Sequence, residues 1–109
     1  MSVVYIPNHA GHDYTAASKF GDVKVITTGR LEKYKLHEFY TLCEEELKEA
    51  NEDDYILLSG LSSVCVIACS ILSHRFGRLN ILVYKGDRYV KYNFNFNGEG
   101  EGEGESDKP

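Results

Sequence analysis

Several residue types and sequence features that are typical of membrane proteins or disulfide-stabilised proteins are rare or absent in this chain. It has no tryptophan, two prolines and three cysteines in 109 residues. No apolar run approaches the roughly 20 residues needed to span a bilayer, and no basic segment followed by an apolar core marks a secretory signal. Three cysteines are too few, and odd in number, for a disulfide framework. We therefore expect a cytoplasmic protein without a membrane partner.

A basic excess is also lacking. Residues 1–97 contain 11 lysines and arginines against 12 acidic residues, so they carry no electrostatic footprint for nucleic acid. Five further acidic residues lie within residues 98–109, where glycine and glutamate alternate. Such a segment has nothing apolar to bury and repels itself. We predict a single domain over residues 1–97 and a disordered acidic tail over residues 98–109.

Apolar periodicity divides the domain into alternating strands and helices. Short apolar runs and one period-two alternation predict strands over residues 3–6, 23–27, 55–59, 79–84 and 89–96. Helical spacing or a largely apolar composition predicts helices over residues 15–20, 35–50 and 64–76. Pro7 is expected to end the first strand. The pattern predicts an α/β fold with a small three-layer, Rossmann-like sheet that is mostly parallel and has an antiparallel C-terminal edge strand.

Polar residues follow several of the predicted strands. In open parallel sheets, ligands bind beyond the carboxyl ends of the strands. The candidate ligand-binding residues at that edge are His9, Thr28, Arg30, Ser59, Gly60, Ser62 and Ser63, and the candidate catalytic residues are His12 and Asp13. If the fold is as predicted, these side chains converge on one edge of the sheet.

The serine-rich segment over residues 59–63 has two interpretations. A strand-to-helix turn offers backbone N–H groups and the positive end of a helix dipole to an anion. The same serines are also ordinary helix caps. The segment has neither the lysine of a P-loop nor the glycines of a dinucleotide fingerprint. The sequence therefore names no cofactor.

His12 and Asp13 allow three hypotheses. A histidine oriented by a carboxylate is suited to acid–base catalysis. Together with His9 the two residues could begin a metal site, but the sequence identifies no third or fourth ligand, so we predict no metal. The third hypothesis is that the residues hold their own loop, as Asp commonly does. Cys65 and Cys69 likewise lack a second pair at metal-binding spacing, and we expect them to pack as small apolar residues.

Four segments resemble a family of small proteins from tailed bacteriophages. They are residues 7–14 (PNHAGHDY), Phe20-Gly21, residues 53–61 (DDYILLSGL) and residues 76–80 (FGRLN). The resemblance covers most of residues 3–92 and implies a viral accessory protein that acts in the cytoplasm of a host bacterium. It implies no activity and assigns no catalytic or binding residue.

Three functions are compatible with this sequence. The first is a non-enzymatic binding module that holds an anionic small molecule, such as a nucleotide, or a host protein through the edge loops. The second is a small hydrolase or transferase that acts on a phosphorylated or nucleotide substrate with His12 and Asp13. The third is a structural or assembly protein, which the aromatic last strand favours. The sequence leaves the oligomeric state open.

Overall fold

A computed structural model describes residues 2–9, 11–28, 35–60 and 62–96. The elements are β1 (Val3–His9), a 3₁₀ helix (Thr15–Phe20), β2 (Asp22–Thr28), α1 (Leu36–Glu46), β3 (Tyr55–Leu57), α2 (Ser62–Phe76), β4 (Arg78–Tyr84) and β5 (Tyr89–Asn95). They follow the predicted order of strands and helices. The acidic tail predicted for residues 98–109 and the candidate residue Arg30 lie outside the described residues.

The five strands form one sheet in the order β2-β1-β3-β4-β5. The first four strands are parallel to their neighbours, and β5 is antiparallel to β4. Helices α1 and α2 cover one face, where Phe39 and Val64 belong to the larger core. The 3₁₀ helix packs Ala17 against the other face. The α/β prediction, with a mostly parallel sheet and an antiparallel C-terminal strand, is confirmed.

The first strand continues through Pro7, so the prediction that Pro7 ends it is wrong. β3 has only three residues, and its pairing with β1 ends at Tyr5. Pro7 lies beyond that short partner, where its missing N–H removes no hydrogen bond between β1 and β3. Its carbonyl accepts the hydroxyl of Thr27 on β2 at 2.7 Å. The strand therefore carries His9 to the carboxyl edge as part of the sheet.

Helix α1 is shorter than its apolar spacing predicts. It ends at Glu46, and the Leu47 N–H then bonds the Cys43 carbonyl while the Ala50 N–H bonds the Leu47 carbonyl. Leu47 is nevertheless fully buried, because the turn after the helix keeps it on the same side. The guanidinium of Arg75 donates to the Leu47 carbonyl and so satisfies an acceptor at the helix end. The spacing identified the buried side chains but not the end of the helix.

Gly21 ends the 3₁₀ helix in a conformation that a side chain would not permit. Its φ is +155°, and a Cβ on this residue would lie 2.3 Å from the carbonyl oxygen of Ser2. The backbone N–H of Asp22 donates to that same carbonyl at 3.0 Å. The close approach of the two chains requires glycine. It sets the direction in which the chain enters β2.

Helix α2 is the centre of the larger core. Its buried side chains include Val64, Ala68, Ile71 and Leu72, which belong to one cluster with residues of α1, β1, β2 and β3. The opposite side of the helix is in solvent, since Val66 is 61% exposed. The largely apolar composition of this segment correctly predicted that the helix belongs to the core. It overestimated the fraction of the helix surface that is buried.

A buried carboxylate organises the amino end of the sheet. Asp54 is 2% exposed, and its two oxygens accept the N–H groups of Val3 and Asn51, each at 2.9 Å. Asn80 on β4 is also buried, and its Nδ2 donates to the carbonyls of Glu52 at 2.9 Å and Asp54 at 3.0 Å. These bonds join β1, the segment before β3, and β4. We call Asp54 and Asn80 the polar hub.

Truncating Ile71 tests the position of α2. Ile71→Ala should lower the free energy of unfolding by about 2–5 kcal/mol, because it removes buried apolar area and leaves a cavity. Val66→Ala, on the exposed side of the same helix, should lower it by less than about 1 kcal/mol. Urea unfolding followed by circular dichroism measures both. Equal losses in the two variants would show that α2 is rotated from this position.

Removing the Asp54 carboxylate tests the polar hub. Asp54→Ala should cost about 2–4 kcal/mol of stability, because the N–H groups of Val3 and Asn51 lose a charged acceptor in a buried place. Asp53→Ala is the matched control, since the Asp53 side chain is exposed and the neighbouring contact from Ser2 is to its backbone carbonyl. Urea unfolding provides the comparison. A loss no larger than that of Asp53→Ala would contradict the role of the hub.

Candidate functional site

The strand order reverses direction between β1 and β3 at their carboxyl ends. These two strands are neighbours and parallel. After β1 the chain continues to the 3₁₀ helix on one face, whereas after β3 it continues to α2 on the opposite face. Such a reversal is the switch point at which open parallel sheets bind ligands. The candidate residues after the two strands therefore belong to one edge of the sheet.

The segment after β1 is held by its own side chains. His9 Nδ1 accepts the N–H of Gly11 at 3.3 Å. Asp13 Oδ1 accepts the N–H of Thr15 at 2.9 Å and its hydroxyl at 2.6 Å. These two bonds lower the pKa of the Asp13 carboxyl below its ordinary value, with the hydroxyl of Thr15 as the larger cause. Asp13 thus fixes the start of the 3₁₀ helix.

Tyr14 is the residue that connects the two loops. It is 7% exposed, and its hydroxyl lies 2.7 Å from the hydroxyl of Ser59 after β3. Its ring makes edge contacts with His9, at 5.0 Å between centroids, and with His12, at 6.1 Å. Sequence reasoning missed Tyr14 as a site residue. The available signal was an aromatic residue with a polar tip directly before a short helix.

The segment over residues 59–63 leads from β3 into α2, as predicted. Gly60 has a φ of +85° and packs beside Asn8 of β1. The carbonyl of Ser59 lies 3.4 Å from the thiol of Cys65, one turn into α2. Ser62 and Ser63 are the first two residues of that helix. The serine-rich turn is therefore tied both to β1 and to the helix that follows it.

A cavity of about 450 Å³ lies on the face of the sheet that carries the 3₁₀ helix. Its lining residues are Ile6, His9, His12, Asp13, Tyr14, Thr15, Ser18, Val23 and Val25. The structure thus brings His9, His12 and Asp13 together around one space. Ser59, Gly60, Ser62 and Ser63 do not line this cavity, but the hydrogen bond between the hydroxyls of Tyr14 and Ser59 connects the cavity wall to Ser59.

Thr28 lies next to the cavity wall. The parallel register of β1 and β2 places Thr28 opposite His9, at the last pair of the two strands, and its side chain is exposed. Arg30, which the sequence assigned to the same edge, is outside the described residues. Of the candidates after β2, Thr28 is therefore the one that the structure places near the histidines.

A comparison with protein families agrees with the phage resemblance. A family model of phage Pam3 gp32-like proteins matches residues 2–97. The chain belongs to this family. No curated protein and no solved structure matches the chain significantly. The assignment places the chain among phage proteins, and the match covers all but the first residue of the domain predicted over residues 1–97.

The cysteines of this family member are free thiols, of which Cys43 and Cys65 are buried and Cys69 is half-buried. Burial raises the pKa of Cys43 and of Cys69 to about 12, and it also raises the pKa of Cys65. A thiol held protonated in this way is a poor nucleophile and a poor metal ligand. Among residues 2–9, 11–28, 35–60 and 62–96, no group of three or more His, Cys, Asp or Glu side chains is placed to hold a metal ion.

In the part of the chain that the structure describes, no helix is long and apolar enough to cross a bilayer.

The hydrogen bonds from Thr15 lead to a prediction about the titration of Asp13. Thr15→Val should raise the Asp13 pKa toward its ordinary value, because it removes the hydroxyl donor and leaves the N–H. Since the carboxyl has a lowered pKa in the folded protein, its support of the 3₁₀ helix is present at neutral pH and is lost as the pH falls through that pKa. A carbon-detected NMR titration of the Asp13 carboxyl measures the change.

Thr41→Val provides the control for this titration. The Thr41 hydroxyl donates to the His37 carbonyl on α1, away from Asp13. It should leave the Asp13 titration unchanged. An Asp13 pKa that does not respond to Thr15→Val would show that the hydroxyl is not its partner in solution.

Proposed function

We propose that the protein is a non-enzymatic binding module for a small, anionic, nucleotide-like ligand at the carboxyl edge of its sheet. The observation that carries the proposal is Tyr14, which contacts both histidines of the cavity and also bonds Ser59 at the entrance to α2. One side chain thereby connects an aromatic cavity to a helix N-terminus. A nucleotide needs both kinds of surface, one for its base and one for its phosphate.

The cavity fits the planar, weakly polar part of such a ligand. Its volume of about 450 Å³ is within the usual range for small-molecule sites, and an apolar floor with a few converging polar groups is typical of them. Ile6, Val23 and Val25 supply the apolar part. The rings of His9 and His12 offer faces on which a base can stack.

The charges around the site determine the orientation of the proposed nucleotide. Asp13 is a carboxylate at the cavity wall, and it would repel a phosphate but accept the hydroxyl groups of a sugar. The first residues of α2, Ser62 and Ser63, combine hydroxyl donors with the positive end of a 15-residue helix. We therefore place the phosphate toward α2 and the sugar toward Asp13. This orientation follows the position of ligands in Rossmann-like sheets, which bind at the switch point.

The contacts of Asp13 favour binding over catalysis. Among the described residues, the Asp13 carboxylate accepts hydrogen bonds from Thr15 and not from His12, whereas the acid–base hypothesis requires Asp13 to orient His12. In the phage setting that the family indicates, a binding module of this size would act as an accessory protein in the host cytoplasm. The hydrolase or transferase hypothesis is then an alternative outcome of the experiment below.

Titration with nucleotides tests the proposal. Isothermal titration calorimetry with nucleoside mono-, di- and triphosphates, the parent nucleosides and inorganic phosphate should detect binding of the nucleotides and weaker binding of either part alone. His12→Ala should weaken nucleotide binding by about tenfold, because the loss of one ring contact of roughly 1–3 kcal/mol corresponds to that factor. Tyr14→Phe should also weaken it, by removing the bond to Ser59.

His37→Ala is the matched control. His37 is an exposed histidine on α1, on the other face of the sheet, and its removal should leave the affinity unchanged. Chromatography of the recovered nucleotide should show it intact. Conversion of the nucleotide that disappears in His12→Ala would establish the enzyme hypothesis instead, and the absence of heat with every compound would refute a small-ligand site.

A further inference from the structure

A second cavity lies on the helix side of the sheet, between α1 and α2. Its volume is about 670 Å³, which is within the usual range for small-molecule sites. It is lined by Tyr40 and Glu44 of α1 and by side chains between Val66 and Arg75 of α2. The cavity of the proposed nucleotide site is on the opposite face of the sheet, so the two spaces are separate.

The two helices run in the same direction, so this cavity has two different ends. Each helix connects the carboxyl end of one strand to the amino end of a parallel strand. The guanidinium of Arg75, in the last turn of α2, donates to the carbonyl of Leu47 directly after α1, which places the two helix ends at the same level. Glu44 is only about 5 Å before Leu47 along α1. We call this the charged end of the cavity, because Glu44, His74 and Arg75 lie there.

The other end of the cavity is apolar. Val66 and Ile67 line it at a point about 12–14 Å before the charged end along α2. Tyr40 lies one turn before the charged end on α1, and it is 46% exposed. Ile71, which is 7% exposed, lines the cavity between its two ends. A ligand in this cavity therefore meets charge at one end and apolar surface at the other.

The opposite charges at the charged end do not neutralise each other. In the described part of the chain, no salt bridge joins Glu44 to Arg75 or to His74. The Glu44 carboxylate accepts the hydroxyl of Tyr40 at 3.2 Å, and the Arg75 guanidinium donates to the Leu47 carbonyl. These bonds hold both groups in place. They leave further hydrogen-bonding capacity on each, since a carboxylate accepts about four hydrogen bonds and a guanidinium donates about five.

The two sides of the charged end attract different ionic groups. On the α1 side, the hydrogen bond holds the Tyr40 ring beside the Glu44 carboxylate. This bond also raises the pKa of Tyr40, so the phenol stays protonated as the donor. A carboxylate beside a tyrosine ring attracts an ammonium. On the α2 side, the guanidinium of Arg75 and the imidazole of His74 offer N–H donors to a carboxylate.

We infer that this cavity binds a free α-amino acid with a large apolar side chain. In such a molecule the ammonium and the carboxylate are attached to one carbon, and the apolar group extends from it to one side. The ammonium binds Glu44 beside the ring of Tyr40, and the carboxylate binds Arg75 and His74. The side chain of the amino acid extends along α2 toward Val66.

The charges argue against other small ligands of this size. A phosphate or an apolar carboxylic acid brings a negative charge beside Glu44 without a cation of its own. An amine that lacks a carboxylate brings a positive charge beside Arg75 without an anion. A ligand that carries both charges compensates both side chains. This inference is independent of the proposed nucleotide site, because the two cavities share no residue.

An NMR titration of the full, isotope-labelled chain tests the inference. L-Phenylalanine should shift the methyl signals of Val66, Ile67 and Ile71. Phenylalaninamide lacks the carboxylate and N-acetyl-L-phenylalanine lacks the ammonium, and each should bind about tenfold more weakly. The tripeptide phenylalanyl-glycyl-glycine should also bind more weakly, because its carboxylate is distant from its ammonium.

Glu44→Gln identifies the partner of the ammonium. The substitution keeps an acceptor for the Tyr40 hydroxyl and removes the charge, so the dissociation constant of L-phenylalanine should rise about tenfold. The affinity for N-acetyl-L-phenylalanine should not fall, because that compound has no ammonium for Glu44 to bind. Arg75 is left unchanged, since its bond to the Leu47 carbonyl supports the end of α1. Phenylalaninamide tests the role of Arg75 instead.

Glu45→Gln is the matched control. Glu45 is the neighbouring carboxylate on α1, but it pairs with Lys48 at 3.4 Å and does not line the cavity. Its replacement should change the dissociation constant of L-phenylalanine by less than about twofold. Circular dichroism reports whether both variants are folded.

The contrary outcomes are distinct. If L-phenylalanine shifts none of the three methyl-bearing residues up to its solubility limit, the inference is overturned. Equal affinity for phenylalanine and its two derivatives, or equal effects of Glu44→Gln and Glu45→Gln, would also overturn it, because the charges would then not select the ligand. Tighter binding of the tripeptide would reject a free amino acid as the occupant. A nucleotide should shift the signals of His9 and His12 instead, so the failure of one site is distinguishable from the failure of the other.

Discussion

The arrangement of this protein depends on the buried carboxylate of Asp54. The central strand β3 has only three residues, too few for its ladder alone to determine where it lies between β1 and β4. Asp54, directly before it, binds the first N–H of β1, and Asn80 of β4 binds the carbonyl of Asp54. Both oxygens of Asp54 accept a hydrogen bond in this geometry, and another position of the strand would leave a buried carboxylate without them. The polar hub therefore sets the position of the short strand.

The consequence appears at the opposite end of the same strands. Because β1 and β3 are held together at their start, their carboxyl ends emerge side by side, and Tyr14 can reach Ser59. The two connections then separate to opposite faces of the sheet. The cavity with His9 and His12 lies on one face at this edge of the sheet, and α2 begins on the other face. The proposed ligand site is thus a product of the order of the strands.

Periodicity predicted which residues are buried better than it predicted where elements end. Leu47 is buried as the apolar stripe of α1 requires, although the helix ends one residue before it. Pro7 shows that a local signal can also fail. Proline predicted the end of β1, but β3 is only three residues long, so no hydrogen bond from β1 to β3 is needed at Pro7 and the strand continues. At the candidate site, the sequence predicted that His9, His12 and Asp13 lie near one another, and the structure places them around one cavity. Tyr14 was not predicted as a site residue, since its importance comes from Ser59, which is 45 residues away in the chain.

The sequence by itself determined the class of fold, the alternation of strands and helices, the balance of charge and the residues of the two loops. These properties follow from the spacing of apolar residues and from composition, which are local. The tertiary structure alone decided the strand order, the role of Asp54 and the contact of Tyr14 with Ser59. Each of these depends on which distant segments share a buried space. The packing of the whole chain determines which segments come together, because buried polar groups need hydrogen-bond partners and these partners can lie far away in the sequence.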